Sequence, residues 1–190
     1  MPNVYYLGII YVRVTHNNFT QDFYAPYITG RVRFFGYGGN ESFNYHGSMN
    51  NYANGGGGND YLSGDSGSDI LLGDSGNDTI EGWSGNIELW GGDGNDKLMG
   101  KYGNNIISGD NGNDTLWGDA GNDLLGGGNG DDKIVGGAGI DVAFGRYGYD
   151  QYWEVGNDPR YYYSTYVQTI VGWKKSNGKV QDSNATRDSA

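Results

Sequence analysis

From Gly55 to Trp153 the chain holds a nine-residue phase through eleven consecutive units with no insertion. Glycine opens every unit, from Gly55 to Gly145, and returns at every fourth position, from Gly58 to Gly148. The sixth position reads Asp60, Asp69, Asp78, Ile87, Asp96, Asn105, Asp114, Asp123, Asp132, Asp141, Asp150. The eighth reads Leu62, Leu71, Ile80, Leu89, Leu98, Ile107, Leu116, Leu125, Ile134, Ala143, Tyr152. A period kept this long constrains the fold more than local propensity does, because short self-similar units bury apolar surface only by stacking on one another.

Two glycines per unit allow φ > 0 backbone conformations that other residues adopt with strain, so the first six residues read as a tight turn. The last three read as a short strand, its eighth-position side chain pointing inward and its neighbours outward. So short a strand must stack in parallel on equivalent strands, with a turn at each end coiling the chain. Two units make one coil, and the whole array makes stacked strands on the order of 26 Å long at about 4.8 Å per strand. The expected fold class is all-β, a parallel β-roll with one thin row of mostly aliphatic side chains per sheet.

Composition agrees with a thin core. Hydrophobic residues make up 36% of the 190-residue chain, below the roughly 45–50% of an ordinary globule. Its 37 glycines accompany only 3 prolines, which excludes collagen. With no cysteine there is neither a disulfide framework nor a thiolate metal site. The two histidines, His16 and His46, stand apart and read as loop or surface residues rather than ligands. A net charge of −11 argues against nucleic acid as a partner and favours cations. The longest apolar stretch, Val4 to Val12, is about half the ~20 residues of a membrane span. It has neither a preceding Lys or Arg nor a following small-x-small site, so it does not read as a cleaved secretory signal.

Residues 55–153 carry seventeen acidic and four basic side chains, a net of −13. Turns one coil apart share an edge, so their sixth-position carboxylates stack into a column and repel where they are partly buried. Something positive must sit between them. Carboxylates and the turn carbonyls that glycine exposes are oxygen-only donors, which suit a hard cation, and their irregular geometry favours Ca²⁺ over Mg²⁺.

These units resemble the hemolysin-type calcium-binding repeat of RTX proteins, G-G-x-G-x-D-x-U-x. Gly91-Gly92-Asp93-Gly94-Asn95-Asp96-Lys97-Leu98-Met99 matches it in full, and the resemblance covers 99 of the 190 residues. It implies a right-handed parallel β-roll with one calcium between each pair of turns on an edge. It also implies a secreted, extracellular protein exported unfolded by a type I system, without a cleaved signal peptide, and folded by calcium outside. Catalysis is not expected, since there is no H-E-x-x-H motif, no G-x-S-x-G elbow and no cysteine nucleophile.

Departures from the pattern distinguish the two edges. Odd-numbered units supply Asp60, Asp78, Asp96, Asp114, Asp132 and Asp150, all carboxylates. Even-numbered units supply Asp69, Ile87, Asn105, Asp123 and Asp141, with both defects at adjacent turns. Five well-formed sites are expected between successive odd turns, with the carbonyls of Gly55, Gly73, Gly91, Gly109 and Gly127 as further ligands. On the even edge only the Asp123/Asp141 pair is intact. Pairs that involve Ile87 or Asn105, including the one reached by Asp69, should be weak or empty.

Before Gly55 the repeat decays. Gly36-Tyr37-Gly38-Gly39-Asn40-Glu41-Ser42-Phe43-Asn44 fits with Glu41 replacing Asp, and ten residues separate it from the array. Asn40, Asn44, Asn50, Asn51 and Asn54 mark loops or imperfect turns. β-Formers at 4–14 and 30–35 suggest short strands that begin the roll and shield its open end. Residues 1–54 are therefore expected to form an N-terminal β cap with degenerate repeats, 55–153 the roll, and 154–190 a C-terminal cap and polar tail. That last segment is aromatic first (Tyr161, Tyr162, Tyr163, Tyr166) and then basic (Lys174, Lys175, Lys179), with Gln168 to Trp173 as a capping strand and a frayed end beyond Ser176. It closes on Arg187-Asp188-Ser189-Ala190, without the acidic-then-hydrophobic ending common among RTX secretion signals.

Outward strand positions hold Met99, Trp117, Val135 and Trp153 on one sheet and Leu72, Trp90 and Phe144 on the other. Aromatic preference for strands, or cover by flanking segments, accounts for them most simply. The alternative is that Trp90, Trp117 and Trp153 stack on sugar rings or meet another secreted domain, making the roll an adhesion or polysaccharide-binding module or the appendage of a larger toxin or hydrolase.

Overall fold

The computed structural model describes residues 10–16, 19–25, 31–153 and 179–180 of the chain. Among them there is no helix, and the strands form one sheet of ten and one of seven. Odd units send Tyr61–Ser63, Thr79–Glu81, Lys97–Met99, Thr115–Ala120, Lys133–Ala138 and Gln151–Trp153 to the larger sheet. Even units send Ile70–Ser75, Glu88–Asp93, Ile106–Asn111, Leu124–Asn129 and Val142–Tyr147 to the smaller. Pairing within the array is parallel and steps by one coil. Leu98 lies between Ile80 and Leu116, and Ile107 between Leu89 and Leu125. This is the two-unit coil that the repeat predicts, and the fold is a parallel β-roll.

Eighth-position side chains fill the interior. Leu62, Ile80, Leu98, Leu116 and Ile134 of one sheet and Leu71, Leu89, Ile107, Leu125 and Ala143 of the other are all buried in one continuous core, with Tyr152 partly buried at its end. Fourth-position glycines let the coils approach closely. At Gly94 φ is +136°, and a Cβ there would overlap the carbonyl oxygen of Gly76 one coil away. Second positions also turn left-handed, and not only where they are glycine. Asp74, Asp110 and Asp119 adopt φ of 69–74°, which Asp tolerates, whereas Trp83 at 74° is held in a conformation rare for so bulky a residue.

The roll begins before Gly55. Val32–Phe35 stacks in parallel on Asn51–Gly57, and Glu41–His46 stacks in parallel on Tyr61–Ser63. Phe34 and Phe43 close the first rung as a stacked pair, ring centroids 5.0 Å apart. The ten residues between the degenerate unit and the array make a turn of the same kind with one extra residue. Asn44 lies opposite Ser63, nineteen positions on, whereas Tyr52 lies opposite Ile70, eighteen positions on. Tyr45 in this interval is buried, its hydroxyl accepting the Met49 N–H at 3.2 Å.

Of the strands expected at 4–14 and 30–35, the second starts the roll; residues 4–9 of the first lie outside the described residues, and its described part is not a rung of the roll. Ile10–His16 runs antiparallel to both Phe19–Ala25 and Glu41–His46, so it covers the edge of the first rung as part of a hairpin. At the other end Gln151–Trp153 pairs antiparallel with Lys179–Val180. The capping strand expected at Gln168 to Trp173, the Tyr161–Tyr166 cluster, Lys174, Lys175 and the final residues lie outside the described residues.

Candidate metal centre

Each turn hands its sixth-position side chain to the turn before it. On the odd edge the N–H of Glu41 donates to Asp60 Oδ1, Asp60 to Asp78, Asp78 to Asp96, Asp96 to Asp114, Asp114 to Asp132 and Asp132 to Asp150, at 2.7–3.1 Å. The even edge repeats the ladder from Asn51 to Asp69, Ile87 to Asn105, Asn105 to Asp123 and Asp123 to Asp141, at 2.6–3.1 Å. One carboxylate oxygen is thereby satisfied. The other is not: Oδ2 of Asp60, Asp69, Asp78, Asp96, Asp114, Asp123 and Asp132 is buried with no hydrogen-bond partner.

Those orphan oxygens point at the opening glycine of their own unit. A side chain on Gly109 would collide with Asp114 Oδ2 and come within 2.6 Å of the Gly127 carbonyl oxygen. Gly73 stands in the same relation to Asp78 and the Gly91 carbonyl (2.6 Å), and Gly91 to Asp96 and the Gly109 carbonyl (2.7 Å). On the even edge Gly118 faces Asp123 and the Gly136 carbonyl (2.5 Å). An unpartnered carboxylate oxygen and a carbonyl of the next coil thus converge where glycine leaves space. Beside Gly55 and Gly127 the three nearest atoms all belong to Asp60 and Asp132 respectively, while the Gly55 carbonyl faces Gly36 as the Gly127 carbonyl faces Gly109. Among the described residues no three imidazole or carboxylate groups converge, so a cation held here would draw on carbonyl oxygens as well.

Burial pushes the carboxyls of Asp69, Asp78 and Asp132 up to about 7. It pushes those of Asp96, Asp114 and Asp123 up to about 6, and raises Asp60 and Asp150 as well. The donated N–H of the preceding turn opposes burial in every case, while neighbouring carboxylates, such as Asp96 and Asp60 beside Asp78, add to it. Burial and mutual repulsion thus push these eight carboxyls toward their protonated form. Arg31 offsets part of this at Asp69, and the oxygen donor set suits a bound divalent cation.

The family model of the RTX calcium-binding nonapeptide repeat (four copies) matches residues 47–86, 90–125 and 126–153. The chain belongs to that family. No curated protein matches it. As an RTX roll it is a calcium-binding β-roll, and the repeat is a structural calcium-binding motif rather than a catalytic one. RTX repeat proteins are typically secreted by type I systems.

At the two even-edge defects of this RTX roll, other groups stand where the orphan oxygens stand elsewhere. Ile87 is buried, with Cδ1 2.8 Å from the position a Gly82 Cβ would take, so hydrocarbon fills the space beside the Gly100 carbonyl. Asn105 presents Nδ2 to the corresponding space beside Gly100 and donates it to the Gly103 carbonyl at 3.2 Å. An N–H there satisfies a carbonyl without a cation.

Sequence reasoning missed a second ladder. Fifth-position Asn59, Asn77, Asn95 and Asn113 each accept, through Oδ1, the backbone N–H one coil further on, at 2.7–2.8 Å. Asn86, Asn104 and Asn122 do the same on the even edge. This ladder runs opposite to the carboxylate ladder, so each turn is tied to both neighbours. Asn at the fifth position of seven of the eleven units was its signal. His16 was also missed: it sits against buried Glu41 rather than alone on the surface. Trp90, Trp117 and Trp153 do not share one sheet. Trp117 and Trp153 flank Val135 on the larger sheet, with Lys97 Nζ 5.5 Å from the Trp117 ring centroid, while Trp90 lies on the smaller sheet. Met99 is buried, its Sδ 3.7 Å from Lys101 Nζ.

Proposed function

We propose that this chain is a secreted module whose coiling is switched by calcium. The observation that carries this reading is the set of seven buried aspartate oxygens without a hydrogen-bond partner. Folding without a cation would leave them as uncompensated buried charge, which a row of one aliphatic side chain per strand offsets poorly. Bound calcium supplies the positive charge the columns lack. On the odd edge the residues that would hold it are Asp60, Asp78, Asp96, Asp114, Asp132 and Asp150, with opening-glycine carbonyls such as those of Gly91, Gly109 and Gly127. On the even edge they are Asp123 and Asp141, with Asp69 and Asn105 as weak contributors. Residues 55–153 form the calcium-binding unit in this reading, and 1–54 and 154–190 cap it.

Because the folded form alone binds, each occupied gap adds to stability by mass action. Site affinities on the order of 10⁻⁴–10⁻³ M, as in extracellular modules, would keep the chain extended in a calcium-poor cytosol and folded outside. Far-UV circular dichroism during a calcium titration tests this. The β signal should be weak in excess chelator and rise cooperatively as the five odd-edge gaps and the Asp123/Asp141 gap fill. A native signal in chelator contradicts the reading.

The edge asymmetry has its own test. Ile87→Asp combined with Asn105→Asp would complete the even column, whose gaps at 69/87, 87/105 and 105/123 each lack a carboxylate. The double variant should bind up to three more calcium ions per chain by equilibrium dialysis and need more calcium to reach half-folding. Unchanged stoichiometry would mean that the even edge carries no latent sites.

A further inference from the structure

We infer that the N-terminal edge of the smaller sheet holds a site for a carboxylate carried on a six-membered ring, built from Arg31, Arg33, Phe35 and Tyr52. The site lies outside the acidic columns and mirrors them in sign. There, carboxylates lack a cation; here, guanidiniums lack an anion.

Val32–Phe35 is the outermost strand of the seven-stranded sheet at this end. Val32 and Phe34 pack against the core, while Arg31, Arg33 and Phe35 alternate with them and are exposed. Parallel pairing sets Tyr52 beside Arg33, and the centroid of its ring lies 5.5 Å from that of Phe35. These four side chains line one open hollow of about 240 Å³. Guanidiniums two positions apart on an extended chain start about 7 Å from each other. Among the described residues no carboxylate pairs with either of them, in a chain whose 23 acidic side chains outnumber its 12 basic ones. Asp69 feels the Arg31 charge, yet it is buried and its Oδ2 has no hydrogen-bond partner.

The lining decides the ligand. Neighbouring like charges repel, and an anion seated between them removes that penalty. A guanidinium fork holds a carboxylate through paired charge-assisted hydrogen bonds. Beside the forks, the tilted rings of Phe35 and Tyr52 offer apolar faces on which another ring packs. The hollow is smaller than the ~300–1,000 Å³ of pockets for drug-sized ligands, so it takes one ring rather than a chain of them. Benzoate and a sugar acid such as glucuronate both join a ring to a carboxylate. A neutral sugar lacks the charge, and acetate lacks the ring.

The test uses the full chain in saturating Ca²⁺, its roll verified by circular dichroism. Sodium benzoate and sodium glucuronate are titrated separately while the arginine Nε–Hε resonances are followed by ¹H–¹⁵N correlation. The chain has six arginines, so four serve as internal controls. At least one titrant should shift Arg31 and Arg33 saturably and leave the other four in place. Benzoate alone would make the source an aromatic acid, and glucuronate alone a sugar acid. Acetate should bind at least ~10-fold more weakly, because it buries and stacks no ring. Arg33→Ala should weaken binding ~10-fold or more, and Phe35→Ala about 5-fold. Arg31 and Arg33 resonances that stay put through tens of millimolar of both titrants overturn the proposal, as does acetate binding as tightly as either. The wild-type spectrum decides the matter even if a variant disturbs the edge strand. Silence at Arg31 and Arg33 in a folded roll sinks this site alone and leaves the calcium reading standing.

Discussion

Replacing Gly94 with alanine should lower the melting temperature of the calcium-saturated roll by on the order of 10 °C, while Gly126→Ala should leave it nearly unchanged. Both glycines lie in the same array, but their surroundings differ. Gly94 has φ +136°, a region open essentially to glycine alone, and an added Cβ would overlap the Gly76 carbonyl. Relief would require the two coils to separate, which breaks the Gly76 N–H bond to the Asp93 carbonyl (2.7 Å) and the fifth- and sixth-position ladders beside it. Strain and lost hydrogen bonds together reach about 3 kcal/mol or more. Gly126 lies outside the left-handed region, and the nearest atom to its added Cβ is Ser108 Oγ at 4.0 Å. Melting curves of the two variants in excess calcium check the contrast. Equal losses would mean that close stacking at the fourth position is not what demands glycine.

How much of this was legible depended on whether a residue's role repeats. The coil, the two sheets, the inward row from Leu62 to Ala143 and the two carboxylate columns follow from a phase held without insertion. So do the places of Ile87 and Asn105 as the two interruptions of the even column. Where one residue is added, at Tyr45 and His46, the phase shifts and the intervening turn no longer looks like a repeat. Its sixth-position role nevertheless survives in Asn51, which donates its N–H to Asp69. The fifth-position asparagines were visible as a column, but in a turn Asn reads first as a turn former, and only stacked coils show its oxygen accepting from the neighbouring coil. His16 was illegible for another reason. Its contact with Glu41 spans twenty-five positions and depends on antiparallel pairing of a strand outside the periodic array. A nine-residue period says nothing about such a strand.

In excess chelator the chain should gain β structure as the pH falls from 8 to 5.5 and lose it again on return. Asp69, Asp78 and Asp132 are raised to about 7, and Asp96, Asp114 and Asp123 to about 6, above the ordinary value of 3.8. A folded-state pKa above the unfolded one means that the roll binds protons more tightly than the open chain. Stability therefore rises as the pH falls below about 7, is complete below the unfolded value, and is lost as the pH climbs through 6 and 7. Six carboxyls titrating together make the transition large, and repulsion along the columns sharpens the loss above pH 7. Calcium reverses the sign, because only the ionised carboxylate can serve as a ligand. At pH 8 the β signal should therefore require calcium, and at pH 5.5 the calcium midpoint should move to higher concentration even as the metal-free roll becomes more ordered. Circular dichroism across a grid of pH and calcium reads both trends. If the chelated chain has the same β content at pH 5.5 and 8, the buried carboxylates are not what keeps it open, and the basis for a calcium switch goes with them.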